Sequence, residues 1–450
     1  MLRNLKFTNF KNWRAAELNF GRITGLFGTN SSGKSSLTQF LLLLKQTKEA
    51  TDRKLSLDLN GHFVSLGVYK DVIFNHDDAL QLNWSLNFEQ EKDLSLIDPA
   101  RKRTESFARG RQITVSGGVA AKDQAAVANK LEYELGDVAF RLTAKTTSDT
   151  AFELSSSGSN FRFVRTQGRP WQLPGPVKSY AFPDQARTYY QNASFLSDLE
   201  TSFEEQIDKI FYLGPLREYP QRDYLWARSR PADVGLRGEK AIDAILAATE
   251  ADEKRNRGYK TKLRSFQEMI AYWLREMGLI YDFHVDEIAP GSNRWQAKIR
   301  VRKGGTEALL TDVGFGVSQV LPVVTLLQYV PEGATVILEQ PEIHLHPLAQ
   351  ARLADVIISA AQSRRVQVIV ESHSEHLLLR LQRRVAEEQI SQDDLRLYFC
   401  DVHDSASTLK ALDINLFGEI ANWPEHFMGD AFGETFAAEK ARLKRMADAQ

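Results

Sequence analysis

The chain opens with alternating apolar and polar positions. Leu5, Phe7 and Phe10, then Ala16, Leu18 and Phe20, then the run Arg22–Gly28 predict three short strands joined by polar turns. At Ser31-Ser32-Gly33-Lys34 the period changes. From there through Phe40–Leu44 the apolar residues recur at helical spacing, and the serines are helix openers. Residues from about 50 to 200 return to short strand-like runs ("HFVSLGVYKDVIF", "LQLNWSLNF", "KLEYELGDVAFRL", "FELSSSGSNFRFV"), separated by loops rich in Ser, Gly and Asp. Residues 201–285 carry helical patterns in "FEEQIDKIFY", "GEKAIDAILAATEADEKRN" and "YKTKLRSFQEMIAYWLREMGL", followed by a hairpin around Gly304-Gly305. Beyond it strands and helices alternate: helix near "SQVLPVVTLLQYV", strand "ATVILE", helix "PLAQARLADVIISAAQ", strand "VQVIVES", helix "SEHLLLRLQRRVAEE", strand "LRLYFC". Such alternation predicts an α/β fold with a parallel sheet and crossover helices.

The first change of period holds a motif. "GLFGTNSSGKSS" contains G-x-x-x-x-G-K-S at Gly28, Gly33, Lys34 and Ser35, after an apolar strand and before a helix. Glycines let the backbone amides around Asn30, Ser31, Ser32 and Ser36 turn inward to cradle phosphates, and a helix N-terminus favours negative charge. Lys34 is expected to reach the β- and γ-phosphates of ATP, and Ser35 to ligate Mg²⁺. A second strand must then bring a carboxylate to the metal. "ATVILE" ends in Glu339, whose stem is one methylene longer than that of the aspartate common there. Gln340 follows, and it can orient a water but cannot take its proton. Glu342, fixed in direction by Pro341, is the nearest replacement. His344 and His346 have a spacing that suits a metal, but no Cys or acid cluster completes a set, so packing or an interface is the simpler reading.

"VQVIVESHSEH" places Glu371 and His373 between a strand and a helix. A histidine there is placed to hydrogen-bond a γ-phosphate; a helix cap or core role is the alternative. A metal-dependent nuclease strand ending in Glu371 would need a later Asp-x-Asp pair, and Asp401 and Asp404 have the wrong spacing.

The net charge of -1 means that any nucleic-acid contact must come from a local patch. "ARKRTESFARGRQ" gathers Arg101, Lys102, Arg103, Arg109 and Arg111 in an expected loop, which either meets phosphates or is simply solvated. Arg383 and Arg384 read as the wet side of an amphipathic helix. One cysteine, Cys400, excludes an intrachain disulfide, and the longest apolar stretch, Phe40–Leu44, is too short for a bilayer. A cytoplasmic protein with no membrane partner is expected.

Taken in order, "LKFTNFKNW", the phosphate loop, "EQPEIHLHP" and "VESHSEHLLLRL" resemble the predicted bacterial ATPases of the RecF/SMC/OLD type, whose heads are ABC-class. "YLGPLREYP", "DVGLRGE", "DVGFGVSQVLPVV" and "LDINLFGEIANWPEHF" resemble more closely a prokaryotic subfamily named for its uncharacterised C-terminal domain. The resemblance implies a P-loop ABC-type head with a mixed sheet. Its expected parts are residues 1–50 (first part of the head), 51–200 (β-rich insertion or arm), 201–305 (helical subdomain and hairpin), 306–410 (second part of the head) and 411–450 (tail).

It also implies a homodimer, or a higher oligomer, that closes around ATP, with Gly316, Ser318 and Gln319 of "GFGVSQ" touching the partner's nucleotide. His373 matches the switch histidine. In this subfamily Glu339-Gln340 is the expected form, so Glu339 is expected on the metal, Glu342 as base, and hydrolysis slow. Arg217 and Glu239 lie in subfamily motifs without a derived role. The implied function is an ATP-gated switch on DNA or a nucleoprotein, with a separately encoded effector nuclease in antiviral defence. A RecF-like repair ATPase without an effector is the alternative, and a transporter motor subunit is less favoured.

Overall fold

The computed structural model describes residues 1–450 except 100–105, 124, 146–147, 159–160, 169–171, 259, 425–437, 443–444 and 447–450. The three predicted strands form as β1 (Leu2–Phe10), β2 (Trp13–Asn19) and β3 (Ile23–Gly28). The helical period after the glycine loop becomes α1 (Lys34–Glu49). Four of the next five strands follow as β4 (Leu82–Ile97), β6 (Ala125–Leu135), β7 (Val138–Lys145) and β8 (Ser148–Ser157), in segments read as strand-like.

Two segments differ from expectation. "HFVSLGVYKDVIF" forms only a helical turn at Tyr69–Val72, because Asp71 caps the amide of Val68. The arginine-rich segment, expected as a loop, contributes strand β5 (Ser106–Lys122). Its arginines stand on an exposed strand end, where Arg109 and Arg111 both reach Asp93 of β4. Arg101, Lys102 and Arg103 lie outside the described residues.

β4 to β8 do not stand apart as an arm. β4 pairs antiparallel with β1, so a seven-stranded antiparallel sheet runs in the order β2-β1-β4-β5-β6-β7-β8. A six-stranded sheet carries the second half of the chain. Its order is Ala406–Leu412, Leu395–His403, β3, Gln367–Glu371, Thr335–Glu339, β9 (Ile210–Leu213). All neighbours are parallel except the outer strand Ala406–Leu412. β9 occupies the "IFY" that helical periodicity had claimed; it is a buried edge strand entered straight from the helix Leu196–Asp208.

Period two decides what each face of this sheet meets. Val336, Leu338, Val368 and Val370 point to a core built with the helices Ala241–Glu250, Phe266–Glu276, Phe315–Tyr329 and Pro347–Ser363. Ile337, Ile369, Leu26 and Cys400 point to a second core shared with α1 and the seven-stranded sheet. There Phe40 of α1 stacks on Phe7 at 5.0 Å and meets Phe10 edge-on at 5.1 Å, pairs worth about 0.5–1.5 kcal/mol each beyond area burial. Gln367 joins the two sheets. Its buried amide donates to Leu2 O and Gly21 O and accepts from Leu2 N and the Thr335 hydroxyl, so all four of its bonds are made.

Candidate active site

The strand β3 stops at Gly28, where the chain crosses against the neighbouring strand. A Cβ there would fall 2.1 Å from Cys400 O, so only glycine fits. The loop re-enters a helix at Gly33, whose φ of 89° caps α1 in the left-handed region. The β1–β2 turn braces the loop. Trp13 Nε1 donates to Gly33 O at 3.1 Å, and the Lys11 ammonium donates to Gln39 of α1 at 2.6 Å. This is the structural content of "FKNW".

Lys34 folds over the loop and donates to Gly28 O at 3.0 Å and Thr29 O at 2.6 Å. Burial lowers its pKa, partly offset by Glu371. Asn30, Ser31, Ser32, Gly33, Lys34, Ser35 and Ser36 line a cavity of about 590 Å³. Gln340, Glu371 and His373 face them across it.

Three carboxylates gather behind the loop, held by the parallel register that sets Glu339 opposite Glu371. Ser35 Oγ donates to Glu371 Oε1 at 2.9 Å. Thr38 Oγ1 donates to Glu339 Oε1 at 3.0 Å. The backbone amide of His373 donates to Glu342 Oε1 at 2.7 Å. Glu339 and Glu342 are buried and do not line the cavity; Glu371 does. Of the three, Glu371 is the one at the cavity, and the reading of "EQPE" considered only Glu339 and Glu342. The signal for Glu371 was the equal length of the two apolar runs, each ending in Glu.

Burial pushes the Glu371 carboxyl up to about 7, and Glu339 and Glu342 add to it, against the Ser35 hydrogen bond and Lys34. Burial also raises Glu339 and Glu342. Arg217, read as a subfamily residue without a role, lies buried behind these acids and donates to Glu339 O at 3.3 Å. Burial brings its own pKa down to about 10, with Tyr212, Glu339 and Glu342 opposing. Glu239 does not line the cavity and accepts from the Arg237 amide.

A raised carboxyl has a sign. Between pH 4.5 and about 7 the folded chain holds a proton at Glu371 that the unfolded chain releases, so stability falls as pH rises through that window. Glu371→Gln is accordingly expected to melt above the native chain at pH 8, with the difference closing below pH 4.5. Equal melting temperatures at both pH values in nucleotide-free protein would contradict the burial of an ionisable group there.

Gln340 sits in the left-handed region, φ 45°, and its amide donates to Glu371 O at 2.8 Å. That turn aims its side chain into the cavity rather than along the strand. His373 is exposed at the cavity wall, its pKa lowered by burial of the ring and by Lys34. His346 caps the helix Pro347–Ser363 through Nδ1, and His344 lies 6.4 Å from the Phe315 ring. No three His, Cys, Asp or Glu residues converge as a metal site among the described residues. Gly316, Ser318 and Gln319 begin the helix Phe315–Tyr329 away from the cavity, with the Ser318 hydroxyl turned back to Phe315 O.

The donor set suits a hard cation held mainly by substrate. Ser35 Oγ and Glu371 Oε1 are side by side, and Glu371 Oε2 is buried without a hydrogen-bond partner. A hydroxyl, one carboxylate and phosphate oxygens are the usual Mg²⁺ environment in such sites. No helix among the described residues is long and apolar enough to cross a membrane.

Residues 1–153 match a family described as "AAA ATPase domain", and residues 390–437 match a protein family of unknown function, DUF3696. No curated protein matches the chain. Among solved structures, the SMC head bound to the C-winged helix domain of ScpA is 12% identical, with TM-score 0.46, covering 92% of this chain and 98% of that one. The SMC head domain from Thermotoga maritima is 12% identical, with TM-score 0.42, covering 92% and 99%. The Smc head with an extended coiled coil bound to the C-terminal domain of ScpA from Pyrococcus furiosus is 11% identical, with TM-score 0.46, covering 91% and 96%. Residues 146–380, more than half of the chain, match the model described as "AAA domain, putative AbiEii toxin, Type IV TA system", and the chain belongs to that family of P-loop ATPases.

Proposed function

We propose that the chain is an ATP-gated switch that closes as a homodimer on DNA or a nucleoprotein and signals to a separately encoded effector nuclease in antiviral defence. The observation that carries the dimer is the placing of the "GFGVSQ" helix start. It lies off its own phosphate cavity and beside exposed apolar groups, with Phe315 60% exposed and its ring 6.1 Å from that of Tyr219, itself 68% exposed. Such a patch beside a helix N-terminus suits a second copy carrying a phosphate in its own loop. The matched family's description names a toxin–antitoxin system, in keeping with a partner effector.

Within each site the residues divide the work. Lys34 and the loop amides bind the triphosphate. Mg²⁺, when bound, neutralises charge on the β- and γ-phosphate oxygens, and Ser35 with Glu371 would hold it. Gln340 orients the attacking water and His373 donates toward the γ-phosphate. Glu339 and Glu342, each committed to hydrogen bonds outside the cavity, hold the wall in place. This moves the metal role expected for Glu339 to Glu371. A water oriented by an amide, with no carboxylate at position 340, makes turnover slow. Solution mass tests the switch: the native chain with Mg²⁺ and a non-hydrolysable ATP analogue should give a dimer, and nucleotide-free protein a monomer. A monomer under both conditions refutes gating by dimerisation.

A further inference from the structure

A second cleft, of about 500 Å³, opens between the helices Phe266–Glu276, Pro347–Ser363 and Glu375–Ala386. Five arginines line it: 257, 275, 352, 380 and 384, against two carboxylates, Glu276 and Asp355, an excess of three positive charges. Arg380 and Arg384 grip Asp355 at 2.7 and 2.6 Å, so Arg384 faces this cleft rather than open solvent. Asp282 approaches Arg275 at 3.8 Å, and Glu387 pairs with Arg384 from outside. Arg352 donates to Glu276 O, and Arg257 lies 4.7 Å over the Tyr272 ring, beside Arg264 at 4.4 Å on the same ring.

Two buried donors on the wall are unused. Trp273 is 5% exposed and Ser359 8%, and neither Trp273 Nε1 nor Ser359 Oγ has a hydrogen-bond partner among the described residues. Both atoms are closed off from solvent, so the surface a ligand meets is that of the arginines. Guanidiniums along one cleft call for an acceptor-rich anion. The Tyr272 face is taken by guanidiniums, so it offers no platform for a base.

We infer that this cleft binds the phosphodiester backbone of nucleic acid, without reading sequence. The inference deepens the DNA reading above by assigning it a surface away from the phosphate loop.

The test is a fluorescence-anisotropy titration of the full chain with a labelled 30-base-pair duplex of arbitrary sequence over a range of salt. Arg257→Ala/Arg352→Ala should weaken binding about 10- to 100-fold, with the slope of log affinity against log salt shallower by about two, since each lost phosphate contact removes about 0.9. Arg257→Lys/Arg352→Lys should keep most of the slope. Basal ATP hydrolysis and the melting temperature of both variants should match the native chain, which separates lost contacts from lost folding. Native affinity and slope in the alanine variant overturn the cleft and leave the DNA reading standing. No duplex binding by the native chain overturns both. Displacement of duplex by millimolar ATP from Lys34→Ala protein would assign the cleft to a free nucleotide and overturn the nucleic-acid inference.

Discussion

Lys34→Ala should abolish ATP hydrolysis and weaken nucleotide binding by about 10- to 100-fold, the loss expected for one charge-assisted contact of about 1.5–3 kcal/mol. The argument is geometric. The ammonium already sits against Gly28 O and Thr29 O inside the loop, so swinging onto a phosphate requires a side-chain rotation and no rebuilding of the backbone. Burial lowers its pKa, and the nearby Glu371 opposes that shift. Isothermal titration with ATP checks the binding and phosphate release checks turnover. Native-like affinity and turnover in the folded variant would remove the phosphate loop from the mechanism.

Glu371→Gln should lower turnover by about 10²–10³, the range seen when a single preorganised electrostatic group is lost from an active site. Glu342→Gln should cost much less, because its carboxylate meets the His373 amide rather than the cavity. Glu339→Gln should act mainly on stability, through Thr38 and the buried Arg217. Glutamine keeps the shape of Glu371 and can still accept from Ser35, so folding is retained while charge is lost. Manganese binding in the presence of nucleotide, followed by electron paramagnetic resonance, gives a readout apart from rate. Unchanged turnover and manganese affinity in Glu371→Gln, beside lost manganese binding in Glu339→Gln, would return the metal role to position 339.

Much of this was readable beforehand, for specific reasons. The loop Gly28–Ser36 announces itself because its chemistry depends on backbone amides and a lysine at fixed offsets. The strands Thr335–Glu339 and Gln367–Glu371 were legible as apolar runs between helices. Which carboxylate faces the cavity was not legible, since that depends on register between strands about thirty residues apart. Nor was the positive φ of Gln340, which turns its side chain toward the loop. The arginines at 109 and 111 looked like loop residues because charge hides strand periodicity on an exposed edge. "IFY" looked helical because a helix ends immediately before it, and only pairing with Thr335–Leu338 makes it a strand.

The pairing of Glu339 with Glu371 has one more consequence. In-phase parallel neighbours end at the same height, so lateral distance decides which acid reaches the cavity: the strand of Glu371 pairs directly with β3, and that of Glu339 lies one further out. The nearer strand can thus present a carboxylate beside Ser35 without any backbone rearrangement. Sideways selection of that sort settles which member of the wall serves the loop while the loop stays where it is.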